Sequence, residues 1–189
     1  MRKPLLEVAS GKKWADVEEV SWKEDSKDNM ILIEDFCRYA FILHTEGRSW
    51  SGRLKHILNC DSASIVHKRD WTAWYYHLLE PEGPKQNHIE VEHDQSDLEE
   101  KVMHYMADSG MEKAQRIADN AVATFRERYL TPAAEACYWR RLIRSWSQVA
   151  FKPDVWEEVE SNMSGKPEMG KKLRGMAYEE FVQDPKEIG

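Results

Sequence analysis

An apolar run that ends in a polar, glycine-bearing turn and resumes at helical spacing leaves a chain few options. Residues 36–58, FCRYAFILHTEGRSWSGRLKHIL, have that form. Tyr39-Ala40-Phe41-Ile42-Leu43 reads as a buried strand. His44 to Gly52 is a polar turn, and Arg53 to Leu58 places Leu54, Ile57 and Leu58 on one helical face. Strand, glycine loop and helix start together form a geometry that binds phosphate. Free N–H groups at a helix start carry partial positive charge, and glycine lets an anion approach the backbone. Ser49 and Ser51 add hydroxyl donors, and Arg48 and Arg53 add fixed cations suited to a diphosphate. The pattern is neither a Walker loop nor a GxGxxG fingerprint, and many such turns bind nothing. A plain connection between strand and helix is the other reading.

The rest of the chain continues the alternation. Leu5–Ala9 reads as a short helix, Trp14–Val20 as a short strand, and Ile31–Phe36 as a short helix. Ala63–His67 is a second strand, Trp71–Leu79 an aromatic helix broken by Pro81, Gly83 and Pro84, and His88–Glu92 a third strand. Ser96-Asp97-Leu98-Glu99 spells a capping box opening a helix with Leu98, Val102, Tyr105 and Met106 on one face. After Asp108-Ser109-Gly110, a helix over 111–128 turns Ala114, Ile117, Ala118, Ala121 and Phe125 inward. Thr131-Pro132 starts another, with an apolar stripe of Trp139, Leu142, Ile143, Trp146 and Val149. Beyond Phe151 the pattern weakens: a short helix over 154–160, a linker over 161–172 and a last turn of helix over 175–181.

Strands alternating with helices predict an α/β fold with a parallel sheet, and such sheets bind ligands at the carboxyl ends of their strands, where the Thr45–Arg53 loop lies. The 189 residues suffice for one domain with its own core and a tail. We expect the domain over 1–150 and an extension, partly mobile, over 151–189. No apolar run approaches a membrane span, and the N-terminus has no signal-peptide core, so a targeting segment would lie upstream. The net charge of −7 argues against general nucleic-acid binding. An acidic chain that binds an anion must gather its cations locally, as Arg48, Arg53, Lys55 and His56 do around the turn; a solvated helix start is the plainer alternative.

Other constellations are weaker. Cys37, Cys60 and Cys137 show no metal spacing; Cys37 and Cys60 bracket a strand–helix unit whose ends could meet, and free buried thiols are the alternative. Trp71, Trp74, Tyr75 and Tyr76 could stack on a sugar or base, but four aromatics so close together read better as core. His67 and Asp70, at the second strand's end, read as solvated loop residues. His88, Glu90 and Glu92 share a strand face beside His93 and Asp94, which reads as an exposed edge rather than a metal site. No metal site and no cofactor is expected.

The blocks HTEGRSWSGRLKHILNCDSASIV, HKRDWTAWYYHLL, NHIEVEHDQSDLEEKV, AQRIADNAVATFRERYLTP and ACYWRRLIRSW, in this order and spacing, resemble the capsule-associated glycosyltransferases, family 90. With LLEVASGKKWADVEEVSW before them, the resemblance covers roughly residues 1–150 and looks most like fungal members, as the C-terminal half of the catalytic region. It implies a Rossmann-like parallel sheet flanked by helices, the C-terminal lobe of a GT-B-type glycosyltransferase, with a helical C-terminal part. It implies that Gly47, Arg48, Ser49, Trp50, Ser51, Gly52 and Arg53 contact a UDP-sugar donor, with Arg53 on the diphosphate, and that Arg2 matches a second donor-contacting arginine. It implies a Cys37–Cys60 disulfide, and a partner for Cys137 upstream. No catalytic base is assigned; by resemblance it lies in an absent N-terminal lobe, and Glu46 has nothing that makes it one.

The resulting expectation is the donor-binding half of an inverting transferase that moves xylose or glucose from a UDP-sugar to a glycan or protein hydroxyl. Family precedent places it in the secretory pathway, in the Golgi or ER lumen, membrane-tethered through a segment outside this chain. The alternatives are a truncated, non-catalytic remnant or nucleotide-sugar-binding module, and an unrelated α/β phosphoester-binding domain.

Overall fold

The computed structural model describes residues 2–18, 31–151, 154–161 and 168–174. They belong to two compact units, residues 1–139 and residues 140–189. The first unit contains a three-stranded parallel sheet in the order β1-β2-β3, made of Phe41–His44, Ala63–His67 and Ile89–Val91. Leu43 pairs with Ile65, and Ile65 with Ile89, so β2 is central. Around the sheet lie α1 (Arg2–Ala9), α2 (Arg53–Ile57), α3 (Leu98–Met106) and α4 (Asp108–Ala121), the last continued by a π-helical stretch, Val122–Tyr129.

Side chains alternate across a strand, so each strand feeds a core on both sides. Ile42 and Val66 face one cluster with Leu54, Ile57 and Leu58 from α2, Tyr75, Tyr76 and Phe125. Ala63, Ile65, Ile89 and Val91 face the other, with Leu98, Val102, Tyr105, Ala114 and Ile117. The architecture is α/β, a small parallel sheet flanked by helices. The inward face expected of α4 is buried at every position named, from Ala114 to Phe125.

Local readings depart where a distant group takes a backbone partner. The aromatic helix does not form; only Tyr76–Leu78 makes a 3-10 turn. The N–H groups of Asp70 and Trp71 donate to Glu46, and Asn87 bonds both the Leu78 carbonyl and the Glu80 N–H. Tyr75 and Tyr76 do enter the core, whereas Trp71 stays exposed. The capping box does not form either. The residue before α3 is Asp97, and its carboxylate accepts the Glu92 N–H and pairs with Lys101. Glu99 instead accepts from Lys12 and Trp14, on a segment that is not a strand through Glu18; residues 19 and 20 of that reading lie outside the described residues.

Gly110 does not separate two helices as a loop. α4 begins at Asp108, two residues after α3 ends, and Gly110 sits inside its first turn. A Cβ there would stand 2.1 Å from the His104 carbonyl oxygen and 2.7 Å from the Tyr105 Cα. Only a residue without a side chain lets the two helices come that close. Met106 is exposed rather than inward.

α5 (Pro132–Trp146) starts on Thr131, whose hydroxyl accepts the Ala134 N–H. Its stripe of Trp139, Leu142, Ile143 and Trp146 is exposed, as is Val149. The second unit's hairpin corrects the helix and linker expected there: β4 (Trp156–Ser161) and β5 (Glu168–Leu173) pair antiparallel. Glu157 opposes Lys172 and Glu158 opposes Lys171, so opposite charges meet across the ladder. The turn of helix expected over 175–181 lies outside the described residues.

Candidate functional site

The loops that leave the carboxyl ends of β1, β2 and β3 emerge on one edge of the parallel sheet and are tied together there. Glu46, directly after β1, is fully buried. Its N–H donates to His67 Nε2 at 2.9 Å. Its carboxylate accepts the Asp70 N–H at 3.1 Å and the Trp71 N–H at 3.3 Å. His67 Nδ1 lies 2.6 Å from the Lys68 carbonyl oxygen. With Nε2 accepting and Nδ1 facing a carbonyl, the proton sits on Nδ1 and the ring is neutral. Burial pushes the His67 pKa below its ordinary value, outweighing the pull of the Lys68 carbonyl and of Glu46. The β3 loop joins through His93, whose Nε2 lies 3.0 Å from the Asp70 carboxylate and whose ring meets the His67 ring edge-on.

From this anchorage the loop Gly47–Arg53 leaves the sheet. The Gly47 N–H donates to the Ser49 carbonyl, closing a tight turn. Arg48, Ser49 and Trp50 are exposed, while Gly47, Ser51, Gly52 and Arg53 are half-buried. The Trp50 ring folds back over Gly52, 3.3 Å from where a Cβ would stand, and lies next to the Tyr76 hydroxyl. Around Gly47 the nearest atom to a Cβ is the Ser49 oxygen, at 3.9 Å, an ordinary van der Waals contact, so a methyl would fit there. Neither Gly47 nor Gly52 has the positive φ that glycine alone adopts readily. Arg53 rests its guanidinium on the Phe36 ring, 5.6 Å from the centroid. Phe36 is held there by its neighbour: Cys37 and Cys60 are joined by a disulfide that ties the segment before β1 to the end of the α2 turn. Arg48 to Arg53 are thus together on one loop. Arg2 opens α1, and its side chain lies outside what is described.

Three residues that the sequence left aside belong to this edge. Glu46 is buried, and so is His67, which is expected to be a solvated loop residue. Arg69 stacks on Tyr76 at 4.9 Å, and its Nη1 is buried with no hydrogen-bond partner among the described residues. Its charge also bears on His88, which is fully buried rather than on an exposed edge. Burial first, and Arg69 second, push the His88 pKa down to about 3, so its ring is neutral. Among the described residues no group of three His, Cys, Asp or Glu side chains could hold a metal ion. No local signal marks Glu46: an acidic residue after an apolar run is ordinary turn composition.

The first unit is an α/β domain with a small parallel sheet flanked by helices, and an arginine- and glycine-bearing loop stands at the carboxyl end of one strand. The chain's residues 1–188 match the family described as Glycosyl transferase family 90, and the chain belongs to that family. It is similar to Protein O-glucosyltransferase 1 of Rattus norvegicus, 26% identical over 142 residues, which are 75% of this chain and 34% of that protein. The human protein of the same name is 25% identical over the same shares, 75% and 34%. O-glucosyltransferase rumi of Drosophila pseudoobscura pseudoobscura is 29% identical over 119 residues, 61% of this chain and 27% of that one. The chain spans about a third of the length of the curated relatives it matches.

These findings correct two expectations. Membership runs across nearly the whole chain, well past residue 150 and not confined to a C-terminal half, and the relatives are animal O-glucosyltransferases rather than fungal, capsule-associated ones. The membrane association is corrected too: among the described residues no helix is long and apolar enough to cross a membrane.

Proposed function

We propose that residues 1–150 are the donor-binding domain of a glycosyltransferase and that Gly47–Arg53 receives a UDP-sugar. The observation that carries this is the Gly47–Arg53 loop itself, at the carboxyl end of β1 in a chain of family 90. Its first glycine is not crowded by a close neighbour, and its closing arginine is braced on Phe36. A nucleoside diphosphate is the leaving group of such a reaction, and its charge grows in the transition state. A preorganised guanidinium and backbone N–H groups stabilise that charge. In this reading Arg53 holds the diphosphate, Gly47 and Gly52 admit it, Ser49 and Ser51 donate to it, and Arg48, Trp50 and Arg2 line the donor.

The finer assignment is the donor-binding lobe of a GT-B-type enzyme. It would transfer glucose or xylose, with inversion, to a hydroxyl of a protein or glycan; the relatives named O-glucosyltransferases favour glucose on protein. The Cys37–Cys60 disulfide suits the oxidising lumen of the secretory pathway.

A second reading, a nucleotide-sugar-binding module without chemistry, is favoured by one observation. The carboxylates at this edge are engaged: Glu46 by two backbone N–H groups and Asp70 by His93. Neither is placed to act as the general base on an acceptor hydroxyl.

Calorimetric titration with UDP tests the donor reading. Wild-type chain should bind, and Arg53→Ala should bind at least tenfold more weakly, as expected when a charge-assisted hydrogen bond worth about 1.5–3 kcal/mol is removed. Equal affinity in the variant would remove Arg53 from the site. Glucose transfer to a folded acceptor domain, by this chain in its natural protein, separates the enzyme from the binding module.

A further inference from the structure

We infer that Glu46 is a positioning residue: a buried clamp that locks the loop after β2 against the loop after β1 and so holds the donor loop in its binding shape. The inference rests on the donor reading above for its function, and on geometry alone for the clamp.

Glu46 makes three bonds to one neighbouring strand and loop. Its main chain is bonded to His67 on β2, and its side chain to the N–H groups of Asp70 and Trp71. Such a burial is costly. An ionised carboxylate removed from water must recover its hydration from fixed donors. Here the donors are consecutive backbone N–H groups, which are not free to rotate away. The carboxylate therefore defines where the chain after Arg69 can run.

The position of Glu46 in the chain gives the clamp its consequence. Gly47 follows it directly, so the direction in which Gly47–Arg53 leaves the sheet is set by a residue that cannot move. Arg69, which precedes the clamped Asp70, is held over Tyr76 with one guanidinium nitrogen buried and without a hydrogen-bond partner among the described residues. Trp50 reaches the same Tyr76 from the other loop. One buried carboxylate thus registers two arginine-bearing loops on each other. Preorganisation of this kind reduces the ordering that a ligand must otherwise impose.

Glu46→Gln tests it. The amide keeps one acceptor oxygen but turns an –NH₂ toward the second backbone N–H, donor against donor. Glu99→Gln is the control, because Glu99 also accepts two donors, Lys12 and Trp14, and none of these residues belongs to either clamped loop. Both variants are measured for thermal unfolding, UDP affinity by calorimetry, and amide hydrogen exchange across residues 44–53 and 67–73. The clamp predicts that Glu46→Gln, while folded, loses about tenfold in UDP affinity and exchanges faster in both segments. It predicts that Glu99→Gln leaves UDP affinity and both segments unchanged whatever its melting temperature. A merely structural carboxylate would lower the melting temperature of Glu46→Gln without touching affinity or local exchange, and that result overturns the proposal. If wild-type chain binds no UDP, the donor reading falls, and exchange alone decides: faster exchange in both loops upholds the clamp, and unchanged exchange removes it.

Discussion

Gly47, after β1, and Gly110, at the start of α4, punctuate the first unit in opposite ways. A Cβ at Gly110 would collide with the backbone of α3, 2.1 Å from the His104 oxygen. A Cβ at Gly47 would meet nothing closer than 3.9 Å. Both glycines sit at ordinary backbone angles, so neither is there for a left-handed turn. Gly110 is required by the chain's own packing. No such crowding by the described residues requires Gly47. The surroundings differ in the same sense: the helices α3 and α4 bury apolar side chains, whereas the carboxyl ends of β1 and β2 bury His44, Glu46 and His67.

The largest effect should come from Gly110→Ala. The clash is with backbone, which cannot swing aside as a side chain could, and overpacking of this kind costs roughly 3 kcal/mol. A urea denaturation midpoint that did not fall would mean that α3 and α4 can separate freely, and the contrast would collapse.

The polar burial at the strand ends predicts an acid response. The folded pKa of His88 is about 3, against about 6.5 in an unfolded chain. Between those values the unfolded chain binds a proton that the folded chain refuses. Stability is therefore full above pH about 6.5 and falls by about 1.4 kcal/mol per pH unit below it for each such group. His67, also lowered by burial, acts in the same direction. Urea midpoints at pH 7, 6 and 5 should decline, and His88→Asn should flatten that decline. A wild-type midpoint constant across this range would show that the ring is not held neutral.

Gly47→Ala should give the smallest change in stability and the most informative one. With space for the methyl and a compatible backbone, it should stabilise the chain by about 0.5 kcal/mol through the unfolded state. UDP affinity should fall severalfold all the same. A variant that is more stable and binds as well would show that no ligand approaches this face of the loop.

Sequence patterns spoke most clearly where the partner of a residue is local or merely apolar. β2 is Ala63–His67, the span its β-branched run predicts. The α4 stripe from Ala114 to Phe125 follows the helical period and is buried throughout. Patterns failed where a polar group found a distant partner. Trp71–Leu79 has helix-compatible spacing, yet only Tyr76–Leu78 makes a 3-10 turn, after which Asn87 takes the Leu78 carbonyl and the Glu80 N–H. The run 154–160 lost its helix to a hairpin whose opposing charges lie more than ten residues away in sequence, at Lys171 and Lys172.

The alternation of strands and helices, the inward stripe of α4 and the glycine–arginine loop at a strand end were determined by residue type and spacing, because apolar periodicity acts over a few residues. Glu46, His67 and Arg69 became a site only in three dimensions. A parallel sheet brings the carboxyl ends of separate strands to one edge. Which carboxylate then captures which N–H depends on strand register, and register arises from packing on both faces of the sheet.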